Sequence, residues 1–233
     1  MRIKQRKLPK LEDVFELDEQ FLLSPHAGAW RPALIRGRRL SDGSTVVLKY
    51  WKKARTSIDA DLRDLWRREE RHAERLRARP GADDLLVPML EASEADDAFY
   101  VAMPGEWVPL KVKLRDCSPQ HWCRGLQVER HRQILWRNLR RLVQGLDVIH
   151  AQRVVHGDLD EDVVFTASDH EADFRIGGFE WCFHVSEGAS GPSRPFASSL
   201  TDDFASVGGL IARMLGLPGD SDQGARSQRF AAL

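Results

Sequence analysis

The sequence predicts an α+β chain built as two lobes, strand-rich in the first half apart from one inserted helix and mainly helical in the second. Three observations carry this reading. Apolar and β-branched runs separated by polar turn signals fill residues 21–51 and 85–103. Apolar side chains recur at helical spacing over 58–79 and again beyond about residue 120. Strands and helices are segregated rather than alternating, which favours α+β over a layout of βαβ units.

The elements follow in order. Residues 1–20 are charged and mixed, and are expected to form an arm or a short helix. Phe21-Leu22-Leu23 and Ala33-Leu34-Ile35-Arg36 are short strand candidates. Thr45-Val46-Val47-Leu48-Lys49-Tyr50-Trp51 is a stronger one, and Ser41-Asp42-Gly43-Ser44 before it signals a hairpin turn. Leu62, Leu65, Trp66, Ala73 and Leu76 then mark one helical face, ending before Pro80-Gly81. Residues 85–90 and 98–103 read as two further strands around the polar turn 93–97. Leu135, Leu139, Leu142, Leu146 and Ile149 define the buried stripe of a long helix. Short strands and turns are expected over 153–181, and a last helix over 204–215, stopped by Gly216 and Pro218. The domain reading is therefore 1–104 as the first lobe, with 1–20 as its arm, and 105–216 as an incomplete second lobe. Residues 217–233 form a polar tail or the start of further sequence.

Composition bounds the function. A length of 233 residues suffices for one large domain or two small lobes sharing a core. An apolar share of 42% and a charged share of 30% argue against wholesale disorder. Lys+Arg and Asp+Glu balance at 35 each, so no overall field draws the chain to nucleic acid or an anionic membrane. The basic stretches at 67–79 and 130–141 read as solvated helix faces. Cys117, Cys123 and Cys182 form neither a disulfide framework nor a metal-ligand spacing, and with no leader peptide they fit a reducing, cytoplasmic setting. No apolar run approaches the ~20 residues needed to cross a bilayer.

One stretch carries chemistry. Leu146-Asp-Val-Ile-His150-Ala-Gln-Arg-Val-Val-His156-Gly-Asp158-Leu159 places a His-Gly-Asp triplet just after the long helix. It resembles the catalytic loop of the protein-kinase superfamily, where the Asp orients the substrate hydroxyl as base. Further matches arrive in the same order. Val46-Val47-Leu48-Lys49 resembles the strand whose lysine pairs with nucleotide phosphates. Glu69 fits the partner-glutamate position of the following helix, with Glu70 as runner-up. Asp203-Phe-Ala-Ser-Val-Gly208 is similar to the start of the buried helix whose aspartate braces the catalytic loop. The resemblance implies a bilobal kinase-like fold with Asp158, Lys49 and Glu69 as the catalytic set. It implies Gly28, Val47, Lys49 and Met103 as nucleotide-facing residues, and ATP as the candidate ligand.

The pattern fails where magnesium is held. Phosphoryl transfer depends on positioning and on metal ions bridging the phosphates, and magnesium requires oxygen ligands at ~2.1 Å. Kinases take these from the Asn of His-Arg-Asp-Leu-x-x-x-Asn and the Asp of Asp-Phe-Gly. Here Val163 occupies the first position. If Phe174-Arg175-Ile176 is the preceding strand, Gly178-Phe179-Glu180 occupies the second. No magnesium is therefore expected. Two escapes stay open: Asp173-Phe174-Arg175 as the metal triplet in a different register, or Asp162 or Glu180 swinging into the empty ligand positions. The phosphate loop is worn too, since 26–33 keeps only Gly28 of the glycines that let backbone N–H groups reach phosphates. Gly157 replaces the arginine that pairs with a phosphorylated activation loop. No Ala-Pro-Glu motif lies between Gly178 and Asp203, and the later helices of the family are missing, as in a minimal lobe or a piece of a longer protein.

The resemblance thus implies a pseudokinase: a regulatory or scaffold module acting on a protein partner or linked domain, of undefined oligomeric state. Two alternatives stand beside it. One is an active atypical Ser/Thr kinase using Asp158 with Glu180 or Asp173 recruiting the metal. The other is a small-molecule phosphotransferase of the aminoglycoside or choline type, suggested by His-Gly-Asp-Leu and Phe179-Glu180-Trp181.

Overall fold

The computed structural model describes residues 8–24, 30–187 and 199–215. Over these the protein is mixed α+β, with a five-stranded antiparallel sheet and four α-helices. Two compact units form. The first contains the described residues up to Trp66 together with Pro88–Glu106, and the second contains Arg67–Val87 and the described residues from Trp107 onward.

The first unit is the sheet. Its strands β1 (Phe15–Leu23), β2 (Ala33–Arg39), β3 (Thr45–Lys52), β4 (Glu91–Glu94) and β5 (Ala98–Pro104) lie in the order β1-β2-β3-β5-β4. Alternation along the strands sorts side chains to two faces. On one face Leu11, Phe15, Ile35, Val46, Leu48, Tyr100 and Ala102 pack into a buried cluster. The other face carries Val47 opposite Met103, Lys49 opposite Val101, and Trp51 opposite Phe99. There the first turns of α1 (Ile58–Arg77) pack, Trp66 stacking on Phe99 at 5.5 Å and donating its indole N–H to the carbonyl of Tyr100 at 3.0 Å.

Two expectations need correction in this unit. Residues 15–20 are strand rather than arm: β1 pairs with β2 from Phe15 opposite Arg39 to Leu23 opposite Leu34. It is an edge strand, so its charged residues Glu16, Asp18 and Glu19 face water and hide the period-2 signal. Residues 85–90 are not a strand. Pro88 has no N–H to donate to a ladder. The preceding residues form the short 3-10 turn Ala82–Asp84 and a single bridge from Leu86 to Ile176, and the ladder of β4 starts only at Glu91.

In the second unit, α3 (Glu129–His150) is the central element, with Leu135, Leu139, Leu142, Leu146 and Ile149 buried as the spacing predicts. Between the units' boundary and α3 lie the two-residue strand β6 (Val108–Pro109) and a seven-residue helix α2 (Leu110–Asp116), which the sequence reading passed over. After α3 come β7 (Val154–Val155), β8 (Val164–Thr166), β9 (Arg175–Ile176) and β10 (Phe183–His184), paired as β6-β8-β9 and β10-β7. Buried Asn138 of α3 fixes the approach to β9, its Oδ1 accepting the N–H groups of Asp173 (2.8 Å) and Phe174 (2.9 Å). The last helix, α4 (Leu200–Met214), begins ahead of Phe204 because the Asp202 carboxylate accepts the N–H of Ser199 and caps it. Among the described residues no helix is long and apolar enough to cross a membrane. The expected tail, 217–233, lies outside the described residues.

Candidate functional site

The geometry of the second unit converges on the loop 156–163. Its anchor is Asp203 on α4, which is fully buried. One carboxylate oxygen accepts the N–H of His156 at 2.8 Å and faces the His150 ring nitrogen at 2.8 Å, and the other accepts the N–H of Gly157 at 3.0 Å. A buried carboxylate is costly unless hydrogen-bonded. Here three donors satisfy it, and in return two consecutive loop amides are fixed. The His156 ring points the other way, bonding the carbonyl of Gly177 at 2.9 Å and meeting the Phe179 ring edge-on at 5.8 Å. Thus α4, the loop and the segment after β9 are tied through one aspartate and one histidine. Asp158 follows, itself 7% exposed.

Two glycines are needed here. Gly157 has φ +87°, and a Cβ on it would lie 2.8 Å from the carbonyl oxygen of Trp181, so neither arginine nor any other side chain fits. Gly178 has φ +77°, and a Cβ there would lie 2.4 Å from Cγ1 and 2.9 Å from Cβ of Val163. Positions 163 and 178 are therefore adjacent in space, and the Val163 isopropyl group fills the volume into which a side chain at 178 would project.

The alternative carboxylates are placed as follows. Asp173 lies ahead of β9, and its oxygens are taken by the Thr166 hydroxyl (2.6 Å) and the N–H groups of Ala167 (2.7 Å) and Ser168 (2.6 Å). It braces the β8–β9 turn, and β9 at Arg175–Ile176 leads directly to Gly178. Asp162 pairs with Lys111 of α2 at 3.0 Å. Glu180 is buried, and its Oε2 lies 3.7 Å from where a Cβ on Gly178 would be. Between Asp158 and Asp162 sits buried Asp160, whose carboxyl is pushed up to about 8, first by burial and then by the charges of Asp158 and Asp162. Burial thus favours its neutral form, and it accepts the N–H of Asp162 at 2.8 Å.

Of the other expected site residues, Lys49 is buried in the first unit, its ammonium 5.3 Å from the centre of the Trp51 ring. Val47 and Met103 are buried neighbours across β3 and β5. In the second unit Glu69 is buried and Glu70 only half-buried, so burial favours the first of the two glutamates. Gly28 lies outside the described residues.

A second cluster was missed. Cys117, His121 and Cys123 bring their Sγ and ring-nitrogen atoms within 4.8 Å of one another. The reading that the cysteines have no metal-ligand spacing is corrected by this. Counting cysteines alone skips His121, and the signal was Cys117-Ser-Pro-Gln-His121-Trp-Cys123 read as one Cys-x-x-x-His-x-Cys unit. Among the described residues this is the one group of His, Cys, Asp and Glu side chains placed to share an ion.

No protein-family model matches this sequence, and neither does any curated protein.

Proposed function

We propose that the protein is a kinase-like domain that has lost metal-dependent phosphoryl transfer and serves as a regulatory or scaffold module for a protein partner or linked domain. The observation that carries this is the contact between positions 163 and 178. Metal-dependent transfer needs oxygen ligands held in a fixed geometry, and here valine and glycine stand together in the positions that the family resemblance assigns to those ligands, with no room for a larger residue at 178. The brace from Asp203 to the loop amides supports the kinase-like part of the reading, because it holds Asp158 in a fixed backbone while the ion-gripping groups are gone. ATP is proposed as a ligand without magnesium, with Val47, Lys49 and Met103 as the residues facing it.

One observation favours a second reading. The buried carboxylate of Glu180 lies beside Gly178 and could take the role of the missing aspartate in an active atypical kinase. Transfer of labelled γ-phosphate to a generic protein substrate, in magnesium and in manganese, separates the two. The proposal expects no transfer above that of Asp158→Asn in either metal. Turnover that Asp158→Asn and Glu180→Gln both abolish would establish the active kinase instead.

A further inference from the structure

We propose that Cys117, His121 and Cys123 form a binding site for a zinc-type divalent ion that staples the connection between α2 and α3. The inference is independent of the kinase-like reading. Cys117 is the residue that ends α2, its N–H bonded to the carbonyl of Lys113 at 2.9 Å, so one ligand sits on a helix terminus. His121 and Cys123 flank Trp122, which is 2% exposed and packs on Phe174 at 5.6 Å. The buried indole anchors the turn, and its two neighbours are directed back at Cys117. The Cys123 sulfur lies 3.1 Å from the Cys117 sulfur and 2.9 Å from Nδ1 of His121.

Two sulfurs and an imidazole are a soft donor set, suited to zinc rather than to magnesium or calcium. Around a tetrahedral ion with Zn–S near 2.3 Å and Zn–N near 2.0 Å, ligand atoms stand roughly 3.5–3.8 Å apart. Side-chain rotations of about half an ångström therefore open the triangle to that size, and the backbone stays where it is. The remaining ring nitrogen of His121 faces Asp169 at 3.4 Å, the carboxylate–histidine arrangement that orients a metal-binding imidazole. Asp169 is itself held by Lys113. A cleft of about 330 Å³, lined by His121, His131, Asp169 and His170 among others, opens on the histidine side of the cluster. On ligation each thiol loses its proton to solvent, so binding one ion releases about two protons.

Cobalt(II) added to the reduced 233-residue chain after chelator treatment, followed by zinc(II), tests the site. The expected result is one cobalt per chain, with a thiolate-to-cobalt charge-transfer band and the intense visible bands of a tetrahedral site, both displaced by one equivalent of zinc. Cys117→Ser and Cys123→Ser abolish the charge-transfer band, while Cys182→Ala keeps it. Should the serine variants fold poorly, His121→Ala and Asp169→Asn keep both sulfurs and decide the matter, each weakening zinc at least about tenfold. The absence of a charge-transfer band in the reduced chain, or unchanged zinc affinity in His121→Ala, overturns the proposal.

Discussion

The two sides of the loop centred on Asp158 are built from opposite materials. On the side of α4, Asp203, itself fully buried, satisfies two backbone N–H groups and the partly buried His150. On the side of β9, Val163 and Gly178 meet through hydrocarbon, with no space for a side chain at 178. The first arrangement fixes the backbone of a loop. The second places no side-chain oxygen at residue 163 or 178. A buried carboxylate thus stands on one side of the loop and an apolar contact on the other. Fixing the loop's backbone and furnishing a site for an ion are thus separable, and it is the first that the hydrogen bonds of Asp203 provide.

The largest effect is expected at the polar side. Asp203→Ala leaves two buried N–H groups and an imidazole without their acceptor, which costs roughly 3–5 kcal/mol. Urea unfolding of the full chain measures it, and a loss below about 1 kcal/mol would mean that the brace contributes little. Asp203→Asn keeps one acceptor oxygen and loses less.

At the apolar side, Gly178→Asp puts a side chain into Val163 on a left-handed backbone, with an expected loss of about 2–4 kcal/mol. Adding Val163→Ala relieves the clash but not the backbone strain, so the double variant recovers part of that loss. A coupling of about 0.5 kcal/mol or more in the double-mutant cycle sharpens the comparison, and strict additivity breaks it.

A smaller loss, about 1–3 kcal/mol, is expected from Asp173→Ala, which releases the Thr166 hydroxyl and the amides of Ala167 and Ser168. That places Asp173 with the structural groups. A change in metal response with unchanged stability would move it to the other side of the comparison.

The last effect is a slope, small over any single pH step. Asp160 has its carboxyl raised to about 8 in the folded chain, against about 3.9 when unfolded. The native state therefore binds the extra proton between these values. The favourable contribution is fully present below about pH 4 and is lost as pH rises toward about 8. Asp160→Asn mimics the protonated form, so it flattens the fall in stability between pH 5 and pH 8, a slope of about 1.4 kcal/mol per pH unit. Parallel pH profiles of the two proteins would show that Asp160 is ionised in the fold.

Much of this was legible in the sequence, for physical reasons. The hairpin of β2 and β3, the stripe on α3 and the polar spacing around His156, Asp158 and Asp203 all rest on local periodicity or short motifs. The edge strand β1 was not legible, because charges facing water on both sides of Leu17 erase the alternation. Residues 85–90 read as strand from composition, but Pro88 decides otherwise. At the site, the identities Val163 and Gly178 are plain in the sequence, whereas their contact is a steric fact of the folded chain. The Cys117–His121–Cys123 cluster escaped because the ligands are of two residue types.

The central claim is that residues 163 and 178 exclude the grip on a catalytic cation. Thermal melting of the full chain in ATP, with chelator and then with magnesium or manganese, tests it most directly. The account predicts that either metal adds no shift to that given by ATP alone. A metal-dependent rise in melting temperature that Glu180→Gln abolishes would contradict it.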